Sequence, residues 1–88
     1  MNWEQNFGNM LLKNCNISNT ILFKGENGKE LNIELFDLQG RLIKTIFNGV
    51  IDSDSYALTT NLEDLHSSLY FYKIQINEEL EVLRFIKQ

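Results

Sequence analysis

The chain has 88 residues, 43% of them hydrophobic and 23% charged, with twelve acids against eight bases and a net charge of −4. That length fits one domain, and the composition excludes a disordered acidic tail or a low-complexity chain. Net acidity disfavours a phosphate-backbone partner, no apolar run approaches the about 20 residues of a membrane helix, and residues 1–4 show no signal-peptide pattern.

The first dozen residues carry two competing patterns. Trp3, Phe7, Met10 and Leu11 fall at helical spacing, with Asn2 and Gln5 placed as a capping box, while residues 10–13 also suit a short strand. From Cys15 the period becomes two. Cys15, Ile17, Ile21 and Phe23 occupy alternate positions and predict a strand ending near Lys24. The run Gly25-Glu26-Asn27-Gly28 is a turn signal. Leu31, Ile33 and Leu35 then alternate with polar residues in the clearest half-buried strand of the sequence. Asp37-Leu38-Gln39-Gly40 predicts a turn with Gly40 at positive φ. Residues 42–47 read as a strand with apolar residues on both faces, closed by Asn48-Gly49 and followed by an acidic loop, Asp52-Ser53-Asp54-Ser55. Tyr56 and Leu58 mark a short strand, and residues 61–65 a single helical turn capped by Asn61. Residues 69–76 form the next strand, Asn77-Glu78-Glu79 a tight hairpin, and residues 80–86 the closing strand. Short strands at this spacing, without a long amphipathic helix, predict an antiparallel β-sandwich.

Catalytic and metal chemistry find little support. His66 is the only histidine; its neighbours Ser67 and Ser68 cannot easily present a hydroxyl to it from an extended chain, so it reads as a loop histidine. Cys15 is the only cysteine, so no internal disulfide can form, and it reads as a buried strand residue. The loop at 52–55 alternates carboxylates but lacks the glycine and distal glutamate of an EF-hand, and reads as a solvated turn. Tyr70, Phe71 and Tyr72 alternate across one strand, so they form a two-faced packing element rather than a base-stacking platform. Glu78, Glu79 and Glu81 read as a solvated hairpin tip, and Asn16-Ile17-Ser18 as a chance match to the glycosylation pattern. No catalytic residue, cofactor or metal site is expected.

Three blocks carry a family resemblance. Residues 31–43, with Asp37-Leu38-Gln39-Gly40-Arg41 between two hydrophobic strands, are followed by Leu62-Glu63-Asp64-Leu65 with Leu69-Tyr70-Phe71-Tyr72-Lys73-Ile74, and then by Leu83-Arg84-Phe85-Ile86-Lys87-Gln88. In order and spacing, over residues 13–88, they resemble the C-terminal sorting domain of the Bacteroidetes type IX secretion system. The family's opening Pro-Asn-Pro corresponds to Cys15-Asn16-Ile17 here, and the glycine before its aromatic strand to Ser68. The resemblance implies a non-enzymatic carrier domain, recognised by the outer-membrane secretion machinery and trimmed by a sortase-like peptidase. It also implies passage of a cargo through the periplasm to the cell surface or medium.

The expectation is an all-β, immunoglobulin-like antiparallel β-sandwich of about six to seven short strands over residues 13–88, preceded by a lead segment over 1–12. Recognition is expected at the tail, Arg84, Phe85, Ile86 and Lys87, and at the turn residues Asp37 and Gly40. The strand edge there would offer free backbone groups for strand addition, and the basic tail electrostatic steering. A general protein- or carbohydrate-binding adhesion module is the alternative.

Overall fold

Alternation with a period of two is realised along most of the chain. The computed structural model describes residues 5–7 (backbone only), 10–15 and 17–88. Eight strands follow in order: β1 (Gln5–Phe7), β2 (Met10–Asn14), β3 (Ser18–Lys24), β4 (Glu30–Phe36), β5 (Leu42–Val50), β6 (Ser55–Asn61), β7 (Ser68–Ile76) and β8 (Glu79–Lys87). They form two four-stranded sheets, β1-β2-β3-β6 and β5-β4-β7-β8, with every pairing antiparallel.

The two inner faces supply one core. Met10, Leu12, Ile21 and Phe23 come from the first sheet, and Leu31, Ile33, Leu35, Tyr70, Tyr72, Ile74, Leu83 and Phe85 from the second. Ile51 and Leu62 plug the core from loops. The Leu62 amide donates to the Ile17 carbonyl at 2.7 Å, and the Ile51 amide to the Lys29 carbonyl at 2.9 Å, which anchors both loops. Within the core lies a polar cluster of Asn19, Thr60 and the Tyr72 hydroxyl. Asn19 stands opposite Thr60, and its Nδ2 donates to the Tyr72 hydroxyl at 3.0 Å. Burial pushes the Tyr72 phenol up, against the opposing effect of hydrogen bonds with Asn19 and Thr60.

Several sequence expectations are corrected. The helix considered near the N-terminus is not formed over Gln5–Phe7 or Met10–Asn14, which are paired strands. Gly8 would have weakened that helix, and alternate burial of Met10 and Leu12 favours the strand. Trp3, the Asn2 cap and Asn16 lie outside the described residues. β3 begins at Ser18 rather than Cys15; Cys15 is half-buried beyond the end of β2, and Ile17 is exposed. Asn48 and Gly49 do not close β5 but lie within it, paired to Asn32 and Leu31. Register shifts at Ile33/Glu34 and Leu35/Phe36 let β5 continue while leaving Leu42 and Ile43 exposed. The segment after β6 is a turn rather than a helical one, although Asn61 Oδ1 does accept from the Glu63 amide at 2.8 Å. In β8 the face holding Val82 and Ile86 is the outer one. Val82 is 57% exposed, and Leu83 and Phe85 take the inner positions. Apolar residues stand on both faces of β8, so periodicity alone did not orient it.

Candidate functional site

The turn between β4 and β5 is built around one carboxylate. Asp37 Oδ1 accepts from the amides of Gln39 and Arg41, and Oδ2 from Arg41 Nε, all at 2.9 Å. The Gly40 amide donates to the Asp37 carbonyl at 3.0 Å, and Gly40 has φ 82°, a conformation that favours glycine. The Arg41 amide bond, with further help from the Arg41 side chain and the Gln39 amide, holds the Asp37 carboxyl below its usual range. The turn is therefore a self-contained Asx turn that leaves Leu38, Gln39 and Arg41 exposed.

The tail divides between core and surface. Phe85 is buried and stacks on Tyr72 and Tyr70, with ring centroids 4.9 and 5.7 Å apart. It was expected among the contact residues, and instead it anchors β8 to the core. Arg84 and Ile86 lie on the outer face and are exposed; Lys87 is half-buried, with Nζ donating to the Gln88 carbonyl at 2.8 Å.

The register brings turn and tail together. β4 ends and β8 ends at the same pole, separated in the sheet only by β7. At about 4.8 Å per strand, Phe36 at the end of β4 and Arg84 near the end of β8 lie roughly 10 Å apart. Between them, the outer face carries the cross-strand row Leu42–Phe36–Phe71–Arg84, and beside it the pair Leu69–Ile86. Phe36, Phe71 and Leu69 are half-buried, and Leu42 and Ile86 are more than half exposed. The result is an apolar patch flanked by Arg41 and Arg84, with Lys87 at the same strand end on the parity of the inner-face residues Leu83 and Phe85. Toward the other pole the same face is polar on β4 and β7, through Glu34 and Lys73 and then the row Asn48–Asn32–Gln75, while β8 continues apolar with Val82 and Leu80. Phe36, Leu42, Leu69 and Phe71 were not singled out as surface contacts from the sequence. Their signal was present: apolar residues next to core residues on both faces of one strand.

His66 is exposed, and its carbonyl accepts from the Tyr70 hydroxyl at 2.7 Å. Asp52 and Asp54 are exposed in the loop after β5, and no group of three or more metal-type side chains occurs among the described residues.

Comparison with known proteins decides the family. The model of the Secretion system C-terminal sorting domain matches residues 13–88. The chain belongs to this family. The sorting domain is a type IX C-terminal signal that directs export of a cargo across the outer membrane to the cell surface or beyond, through interaction with the secretion machinery. No curated protein matches it. Among solved structures it is similar to a DUF3244 family protein from Bacteroides vulgatus ATCC 8482, described as an immunoglobulin-like β-sandwich. The two align with a TM-score of 0.76 at 13% identity, over 91% of this chain and 85% of that one. The sorting domain has that immunoglobulin-like fold. No helix among its described residues is long and apolar enough to cross a membrane.

Proposed function

We propose that the secretion machinery recognises the pole of the second sheet at which the 37–41 turn and the end of β8 meet. The carrying observation is that the register places Arg41, Arg84 and Ile86 around an apolar row on the outer face, with Lys87 at the same end of β8. An apolar centre gives affinity on burial, and a cationic rim steers encounter with an acidic receptor. Gly40 and Asp37 shape the turn, while Phe85 holds the strand in place. In this reading the domain acts by recognition alone, without catalysis. The cargo passes through the periplasm, and a sortase-like peptidase removes the domain after translocation.

The test is a fusion of this domain to the C-terminus of a periplasm-targeted reporter in a type IX-competent bacterium. The parent fusion should reach the surface or medium. Arg84→Ala with Lys87→Ala, and separately Leu42→Ser with Ile86→Ser, should retain the reporter in the periplasm. Substitutions at such exposed positions change stability by about 0.5 kcal/mol or less, so circular dichroism of the purified variants should match the parent. Folded variants exported as well as the parent would refute this location for the signal.

A further inference from the structure

We propose that β8 pairs with β8 of a second copy of this chain, antiparallel and in a single register, giving a two-fold dimer with one continuous sheet. β8 is an edge strand of nine residues with no register shift against β7. Its β7 partners fix which backbone groups remain for another chain. The hairpin joining Ile76 to Glu79 has two loop residues, so that flanking pair is the mutually hydrogen-bonded one. Alternation then directs the amides and carbonyls of Leu80, Val82, Arg84 and Ile86 outward. An independent contact agrees: the Ile86 carbonyl accepts from Asn14 Nδ2 of the first sheet, at 3.4 Å.

Those outward groups allow only registers that set even-numbered residues against even-numbered ones. One register covers the full strand. It places Leu80 opposite Ile86 of the second copy, Val82 opposite Arg84, and Glu79 opposite Lys87, each pair occurring twice by symmetry. Shifting by two residues in one direction still opposes charges, Glu81 against Lys87, but sets Arg84 against Arg84 and loses backbone bonds; shifting in the other loses the Glu–Lys pairs and sets Glu78 against Ile86. The full-length register avoids the Arg84–Arg84 pair and forms the most backbone hydrogen bonds, about eight, with opposite charges at both ends. Glu79 already faces cationic neighbours on its own chain: Lys29 is raised chiefly by Glu26, with Glu79 adding to the effect. Pairing would exchange the long Asn14 bond for one from the Leu80 amide. The proposal stands on the strand edge and does not depend on where the secretion machinery binds.

Sedimentation velocity from about 10 μM to about 1 mM spans the range expected for a small strand-edge interface. The parent chain should pass reversibly from monomer to dimer. Glu79→Lys or Lys87→Glu alone should weaken the dimer at least about tenfold, because like charges then stand opposite at both ends. The two substitutions combined in one chain should restore it. Val82→Pro removes an outward amide without touching the β7 ladder, so it should abolish the dimer while the far-ultraviolet circular dichroism stays that of the parent. Should Val82→Pro unfold the monomer, Val82→Lys combined with the charge exchange still decides the matter. A monomeric parent at the highest concentration would overturn the proposal, as would failure of the charge exchange to restore pairing.

Discussion

Removing the Tyr72 hydroxyl probes the polar cluster inside the core. Tyr72 and Asn19 are both buried; the Tyr72 hydroxyl accepts from Asn19 Nδ2 at 3.0 Å and also bonds Thr60. Asn19 Oδ1 has no hydrogen-bond partner among the described residues. In Tyr72→Phe the ring keeps its stacking on Phe85 at 4.9 Å, so the apolar contribution is retained. What changes is that the Asn19 amide loses its bonded partner too. Stranding a buried donor in this way costs about 1–3 kcal/mol. For a domain of this size, each kcal/mol lowers Tm by about 4–8 °C. Urea and thermal unfolding of the parent, Tyr72→Phe, Asn19→Leu and the double variant give a complete cycle. The double variant should recover part of the loss, since it removes the stranded Asn19 amide and leaves only the buried Thr60 hydroxyl without its Tyr72 partner. A neutral or stabilising Tyr72→Phe, or strict additivity of the two substitutions, would refute the reasoning.

Other expected outcomes follow from the same geometry. Ile33→Ala empties a fully buried position at the centre of the second sheet and should cost about 2–5 kcal/mol in urea unfolding. A Cβ at Gly49 would sit 3.1 Å from Phe47 Cζ, and the Phe47 ring is in edge contact with Tyr56. Gly49→Ala should therefore destabilise by about 1 kcal/mol. In a Phe47→Leu background the same change should turn stabilising by about 0.5–1 kcal/mol, the ordinary strand preference for alanine over glycine. Two ionisations bound the stable pH range with opposite signs. The lowered Asp37 carboxyl contributes stability that is present above its ordinary value of 3.8 and lost as pH falls through the folded value; Asp37→Asn should flatten that acid limb in pH-dependent unfolding. The raised Tyr72 phenol contributes stability that is full below 10.0 and lost as pH rises toward the folded value, and Tyr72→Phe should remove this alkaline loss.

Where one face of a strand is apolar and the other polar, the sequence was sufficient to orient it. Leu31, Ile33 and Leu35 alternate with Asn32 and Glu34, and all three are in the core. Orientation was ambiguous where both faces carry apolar residues, because a one-residue slip then leaves the pattern equally good. β8 is such a case, with Leu80 and Val82 on one parity and Leu83 and Phe85 on the other. What decides it is tertiary: Phe85 stacks on Tyr70 and Tyr72, and the first sheet covers only the later half of the inner face. The core asparagine was hidden for a different reason. Asn19 sits in the polar run Asn16-Ile17-Ser18-Asn19-Thr20, and only the arrival of Tyr72 from the opposite sheet makes its burial tolerable. For the surface, the turn chemistry of Asp37 and Gly40 was legible, but their proximity to the tail was not. That proximity depends on β7 inserting between β4 and β8, a long-range pairing with no local signal.

The two edges of the second sheet are treated differently, and the difference bears on how a partner chain can approach. β5 has register shifts at two points, and bulges of this kind twist an edge and interrupt its row of backbone groups. Gly49 and the Phe47 ring that packs over it further occupy the end of that strand. β8 has neither device: its pairing with β7 is regular from Ser68–Lys87 to Ile76–Glu79. Among the described residues, a long Asn14 contact reaches its edge at Ile86. Natural sheets commonly blunt an exposed edge with charge, and Arg84 is the single charged residue among the four that direct backbone groups outward. A regular edge lined by Leu80, Val82 and Ile86 thus remains competent for strand addition, whereas β5 does not. Any partner that extends the second sheet, whether a second copy or a strand of the secretion machinery, is therefore confined to the β8 side. The two partners would compete there, so Val82→Pro, which removes one outward amide, should slow export of the fusion if the machinery uses the edge, and leave it unchanged if the machinery engages only the apolar end of the outer face.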